Sequence, residues 1–113
     1  MDFESYRADV MRTVRADLSQ RDRMLVGALG LCGESGEMAE NLKKMLFHDH
    51  PMDERALRNE LGDVLWYWVF LCETLGFSVE DVMTANVEKR RKRFPEGFTA
   101  ENSLKRVDVA AGE

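Results

Sequence analysis

Two short acidic pairs mark the sequence as one that could do chemistry. Glu34 and Glu37 lie in GLCGESGEMAEN (residues 30–41), and Glu60 and Asp63 lie in LRNELGDVLWYWVF (residues 57–70). Carboxylates three residues apart stack on one face of a helix. Glu34 and Glu37 therefore share a stripe with Gly27, Gly30, Asn41 and Lys44, and Glu60 and Asp63 share one with Tyr67. Both segments also carry apolar residues at intervals of three and four, so each predicted helix has an acidic stripe beside an apolar one. The run HDHPMD (residues 48–53) separates them, and its Pro51 disfavours helical geometry in His50. So short a connection predicts an antiparallel hairpin. Glu37 and Glu60 are offset along that hairpin by about 6 Å, which a small tilt or an uneven loop absorbs. The four carboxylates are thus expected to oppose one another across one groove.

Four carboxylates in one groove repel, and uncompensated they would take up protons or turn to water. A divalent cation removes the conflict. The all-oxygen donor set suits Mg²⁺, with Mn²⁺ as a substitute. Neither His48 nor His50 lies on an acidic stripe, which argues against a Glu-x-x-His di-iron bundle and leaves both histidines as exposed turn residues. A lone Glu-x-x-Glu is commonly just a solvated face, and Glu37 and Glu40 repeat the spacing in the same helix. What carries the metal reading is two pairs on one hairpin with glycines beside them. Gly30, Gly33, Gly36 and Gly62 each cost about 1 kcal/mol against alanine inside a helix. They serve either close helix approach or room for a ligand above the metals. Among the aromatic residues, Tyr67 shares the acidic stripe and is the candidate for substrate contact. Trp68 falls on the core stripe, and Trp66 is a candidate for a dimer interface.

The elements that must position these groups read as all-α. Helices are predicted over residues 2–17, 20–47, 54–75 and 79–93. Ser19, Asp53 and Ser78 are the expected N-caps and Gly76 the residue that ends the third helix. The expected core stripes are Leu57, Leu61, Val64, Leu65, Trp68, Leu71, Cys72 and Leu75 on the third helix, and Leu25, Ala28, Leu29, Cys32, Met38, Leu42, Met45 and Leu46 on the second. The chain of 113 residues suffices for one compact domain, expected over residues 1–98, with 99–113 as a tail. Four helices make a modest bundle, so leftover apolar surface is expected to be buried in a homodimer or homotetramer. Cys32 and Cys72 are expected to be buried free thiols, since a disulfide suits a cytoplasmic chain poorly. A net charge of −5 argues against a protein that coats nucleic acid, with one local exception in the basic block Lys89, Arg90, Arg91, Lys92 and Arg93. No apolar run approaches the length of a membrane span, and the charged N-terminus lacks a signal-peptide core. A cytoplasmic location is the expectation.

Three blocks then add a family resemblance: GLCGESGEMAENLKK, RNELGDVLWYWVFLCETLGFSVEDV and ANVEKRRKRFPEGF. In that order, over about residues 20–98, they resemble the signature blocks of MazG-like nucleotide pyrophosphohydrolases, members of the all-α NTP pyrophosphatase superfamily. The resemblance implies that Glu34, Glu37, Glu60 and Asp63 are the metal ligands and the catalytic carboxylates. It implies that Asn86 and Lys89 contact the phosphates or sugar of a nucleoside triphosphate. Arg93 falls on the same helix face one turn further, and Lys44 continues the first acidic stripe; both are further substrate-binding candidates. The reaction implied is hydrolysis of a (d)NTP to the monophosphate and pyrophosphate by water attack at the α-phosphorus, with Glu34 or Glu37 as the base toward water. One departure stands out: Gly33 occupies the first of two adjacent glutamate positions found in many relatives. Two other functions fit a helical dimer with an acidic groove, namely a nucleotide sensor without turnover and a module that docks a basic partner.

Overall fold

The computed structural model describes residues 1–106, and every regular element among them is a helix: α1 (Phe3–Arg12), α2 (Gln20–Phe47), α3 (Glu54–Thr74), α4 (Val79–Arg93) and α5 (Ala100–Lys105). The chain divides into two compact units. The first is Met1–Gly76 and holds α1–α3; the second begins at Phe77 and holds α4 and α5.

The caps form where the sequence provides oxygen acceptors. Ser19, Asp53 and Ser78 accept from the backbone N–H groups of Asp22, Ala56 and Asp81. Each satisfies one donor that the first helical turn leaves open. Gly76 follows α3 with φ +76°, the left-handed conformation that ends a helix without a Cβ penalty. The end of α2 comes before Pro51 makes itself felt. Asp49 turns left-handed at φ 56°, and the Lys44 carbonyl accepts from both His48 N–H and His50 N–H. A short polar side chain tolerates that conformation better than most.

Two helix assignments change. The first helix stops at Arg12 instead of running to residue 17, so Val14 lies outside it. Thr13 takes over there: both its N–H (3.0 Å) and its hydroxyl (2.9 Å) donate to the Val10 carbonyl, closing the last turn. The segment expected to be an irregular tail contains α5, capped by Thr99, whose hydroxyl accepts from Asn102 N–H. The tail's last stretch, 107–113, lies outside the described residues.

Within the first unit α2 and α3 pair antiparallel. The Gln20 side chain at the start of α2 donates to the Thr74 carbonyl at the end of α3 at 2.7 Å. Going up α2, Gly27 meets Phe70, Gly30 meets Tyr67, Glu34 shares a cavity with Asp63, and Glu37 approaches Glu60. Each step of three or four up one helix is matched by an equal step down the other. Helix α1 lies on α3 through an Arg7–Glu73 ion pair (3.3 Å) and a Trp66 Nε1–H bond to Thr13 Oγ1 (3.1 Å).

The core differs from the expected stripes. Val10, Val69 and Phe70 are the side chains closed to solvent, with Cys72 and, in the second unit, Val79 also buried. Leu61, Leu65 and Leu75 of α3 and Leu25, Leu29, Leu42 and Leu46 of α2 are exposed, as is Cys32. The physical reason lies in VLWYWVFLC, which is apolar around much of its circumference. Periodicity alone does not choose which side of such a helix turns inward. Fully burying an aliphatic or aromatic side chain contributes about 1.5–3 kcal/mol, against a backbone entropy cost of about 1–2 kcal/mol per ordered residue. A core this small leaves the exposed leucines as surface still in want of cover.

Candidate active site

The hairpin register delivers the acidic pairs to one place. Glu34, Glu37 and Glu60 each present a carboxylate oxygen, and the three oxygens lie within 4.8 Å of one another. Asp63 is next to them: with Glu34, Thr13, Trp66 and Tyr67 it lines a cavity of about 400 Å³. Glu34 and Glu60 are half-buried, whereas Glu37 and Asp63 are exposed.

The electrostatics of this cluster are unresolved by the protein itself. Glu34 Oε2 and Glu60 Oε2 are both closed to solvent and neither has a hydrogen-bond partner. Two carboxylates can share a hydrogen bond only if one of them keeps a proton. The Glu60 carboxyl, close enough to share a proton, then burial, then the charges of Glu37, Asp63 and Glu60 push the Glu34 carboxyl up to about 7. Hard oxygen donors, converging, partly desolvated and short of positive charge, fit a divalent cation such as Mg²⁺ or Mn²⁺.

The glycines divide by role. A Cβ on Gly30 would overlap the Tyr67 ring, and one on Gly27 would come within 2.9 Å of Leu71 Cδ1. These two allow α3 to approach α2, and the Gly30 contact seats Tyr67 at the edge of the acidic cavity. Gly33, Gly36 and Gly62 have nothing within 4 Å of a built Cβ. Close approach of α2 and α3 does not account for those three.

The other sequence candidates are divided between the two units. Lys44 lines a separate cavity of about 550 Å³ at the hairpin turn with Asn41, His50, Asp53 and Glu54. Asn86, Lys89 and Arg93 belong to the second unit, at helical spacing on α4. Asn86 Oδ1 accepts from Arg90 Nε–H at 3.0 Å. Arg93 donates to the Ser103 carbonyl and hydroxyl, both at 3.2 Å, and its guanidinium lies 5.1 Å from the Phe94 ring centroid. Trp66, read as an interface candidate, is engaged within its own chain: it stacks on Phe70 (5.3 Å), meets Tyr67 edge-on (5.0 Å) and bonds Thr13. Thr13 and Trp66 are lining residues that the spacing of acids did not reveal. Tyr6 is another neighbour; burial, then the Asp63 charge, raise its phenol above the usual range.

Comparison with known proteins gives the family. The model of the MazG nucleotide pyrophosphohydrolase domain matches residues 26–98, which include all four carboxylates. The chain belongs to the MazG nucleotide pyrophosphohydrolase family. It is also similar to the Gene 37 protein of Mycobacterium phage L5, with 34% identity over 73 residues. That match covers 61% of this chain and 64% of the phage protein, so the chain spans less than two thirds of that relative. No solved structure matches it. The MazG match begins after α1, so Thr13 lies outside the matched stretch although it lines the acidic cavity. No helix among the described residues is long and apolar enough to cross a membrane.

Proposed function

We propose that this MazG family member is a Mg²⁺-dependent nucleoside triphosphate pyrophosphohydrolase that converts a (d)NTP and water to the monophosphate and pyrophosphate. The observation that carries the reading is the convergence of Glu34, Glu37 and Glu60 oxygens within 4.8 Å, two of the carboxylates having a buried oxygen without a donor. These three side chains would hold the metal, with Asp63 completing the set beside Glu34. A bound ion would draw charge from the phosphoryl oxygens and lower the pKa of a water.

The protein's own groups do the rest. The half-buried carboxylates of Glu34 and Glu60 fix the floor of the site. The exposed Glu37 faces the solvent side, and it or Glu34 takes the proton of the attacking water. That water adds at the α-phosphorus, the bond to the bridging oxygen breaks, and pyrophosphate leaves. Tyr67, seated against Gly30, offers an aromatic face to the nucleoside. Asn86, Lys89 and Arg93 on α4 contact the phosphates or sugar, in the role the family resemblance gives them, and Lys44 adds charge for substrate from the end of α2. The exposed leucines, Leu29, Leu46 and Leu61 among them, support a homodimer or homotetramer. An exposed free thiol at Cys32 suits the cytoplasm.

Pyrophosphate release from a panel of NTPs and dNTPs, with Mg²⁺ and with EDTA, tests the reading. Metal-dependent turnover of at least one nucleotide is expected. Nucleotide binding without turnover would make the protein a sensor, and neither binding nor turnover would make it a docking module.

A further inference from the structure

The hydroxyl of Thr13 is committed twice over. It donates to the Val10 carbonyl at 2.9 Å, and its oxygen accepts the Trp66 indole N–H at 3.1 Å. With its proton used at the C-terminus of α1, the oxygen presents only lone pairs to Trp66, which suits an indole that can only donate. Val10 is fully buried, so the anchor lies in the core. From there the constraint passes along α3: Trp66 stacks on Phe70 at 5.3 Å and stands edge-on to Tyr67 at 5.0 Å.

Thr13, Trp66 and Tyr67 line two cavities. One is the acidic cavity of about 400 Å³ that contains Glu34 and Asp63. The other, about 280 Å³, is walled mostly by apolar side chains, Val14, Leu18, Val26 and Phe70 among them, with Arg15 also in its lining. The three residues are thus a partition between an acidic compartment and a mostly apolar one. The partition is held from α1, before the stretch that matches the MazG family.

We propose that Thr13 is a positioning residue that pins Trp66 as this partition and so limits the size of the nucleoside admitted beside the acidic cluster. This rests on the nucleotide reading above. Release of Trp66 would let the two cavities merge and would favour the larger, purine bases over pyrimidines.

The test compares Thr13→Val, which keeps shape and removes the hydroxyl, with Thr13→Ser, which keeps the hydroxyl. Each is made in a Trp68→Phe background so that Trp66 is the remaining tryptophan. Loss of one hydrogen bond at a wall should move the purine-to-pyrimidine ratio of kcat/KM about fivefold toward purines in Thr13→Val. The change should lie mainly in KM, and the Trp66 emission should shift with it. Thr13→Ser should behave as the parent. Trp66→Phe should reproduce the ratio of Thr13→Val, and combining the two should add nothing further. A parental ratio in Thr13→Val, whether or not Trp66 emission shifts, overturns the proposal; so does a Thr13→Ser variant that fails to restore it. If the parent hydrolyses no nucleotide, the catalytic reading fails separately. The same ratio is then read from quenching of Trp66 by non-hydrolysable purine and pyrimidine triphosphate analogues, and an unchanged ratio again overturns the role of Thr13. If no analogue binds to the parent, both fail.

Discussion

Glu34 and Glu60 face each other across the α2–α3 hairpin, each with a carboxylate oxygen closed to solvent and without a hydrogen-bond donor. A folded protein rarely leaves such groups unpaired, because a buried acceptor without a partner costs about 1–3 kcal/mol. The cost is tolerable if a proton or a cation is present when it matters.

That relationship makes stability depend on pH in a direction opposite to most carboxylates. Glu34 holds its proton in the fold to about pH 7, whereas its ordinary value is 4.5. Between those values the folded chain binds more protons than the unfolded chain, so its stability falls as pH rises from 4.5 to 7 and is flat in this group beyond. Thermal melts without metal should therefore show Glu34→Gln matching the parent near pH 4 and exceeding it at pH 8. Mg²⁺ should raise the parent's Tm at pH 8 and leave Glu34→Gln less affected. Parallel curves for the two proteins across that range would contradict the buried pair.

The glycines give a second prediction, on packing. Gly30→Ala drives a methyl into the Tyr67 ring. Overpacking of that kind costs about 1–3 kcal/mol, and it should also displace Tyr67 from the cavity edge and weaken nucleotide binding. Gly33→Ala meets no atom within 4 Å, and by helix propensity alone should gain up to about 1 kcal/mol. Urea denaturation of the two variants decides this, and equal destabilisation by both would remove the distinction between packed and open glycines.

The parts of the fold that were legible in the sequence are the local ones. Ser19, Asp53 and Ser78 announce helix starts because a cap needs only a side-chain oxygen three residues before an open N–H. The acidic pairs were legible because helical spacing and one short loop set their register. The partition was not, since Trp66 and Thr13 are 53 residues apart and the contact depends on where α1 lies. The end of α1 was missed because apolar spacing continues to Val14 while Thr13 closes the last turn with its hydroxyl. The α5 cap at Thr99 had a signal, a hydroxyl residue followed by an acid in the first turn, which the neighbouring Pro95 and Gly97 obscured. The core was misplaced on α3 because a helix apolar on several sides has more than one face to bury.

Association follows from the same misplacement. Leu29 is 68% exposed, Leu46 71% and Leu61 56%, on the two helices that build the site. A mass by light scattering at micromolar concentration should be that of a dimer or tetramer. Leu29→Glu, which puts a charge where apolar cover is expected, should shift it toward the monomer while circular dichroism stays helical. A parent that is strictly monomeric at those concentrations would refute the oligomer.

Variants of Asp63 and Lys89 test chemistry and binding separately. Asp63 is exposed beside Glu34 and takes part in no helix cap, so Asp63→Ala should leave the helical fold intact. Removing a ligand that fixes charge at a phosphoryl-transfer site costs about 10²–10³ in kcat or more, and turnover with Mg²⁺ should drop at least that far. Lys89→Ala, on α4, should act differently. One lost charge-assisted contact to phosphate is worth about 1.5–3 kcal/mol, so KM for the triphosphate should rise about tenfold or more while Tm changes little. Such a contact would be ionic, so the parent's KM should climb with salt more steeply than the variant's. Near-normal kcat in Asp63→Ala would remove it from the metal set, and an unchanged KM with an unchanged salt slope in Lys89→Ala would remove that residue from the substrate.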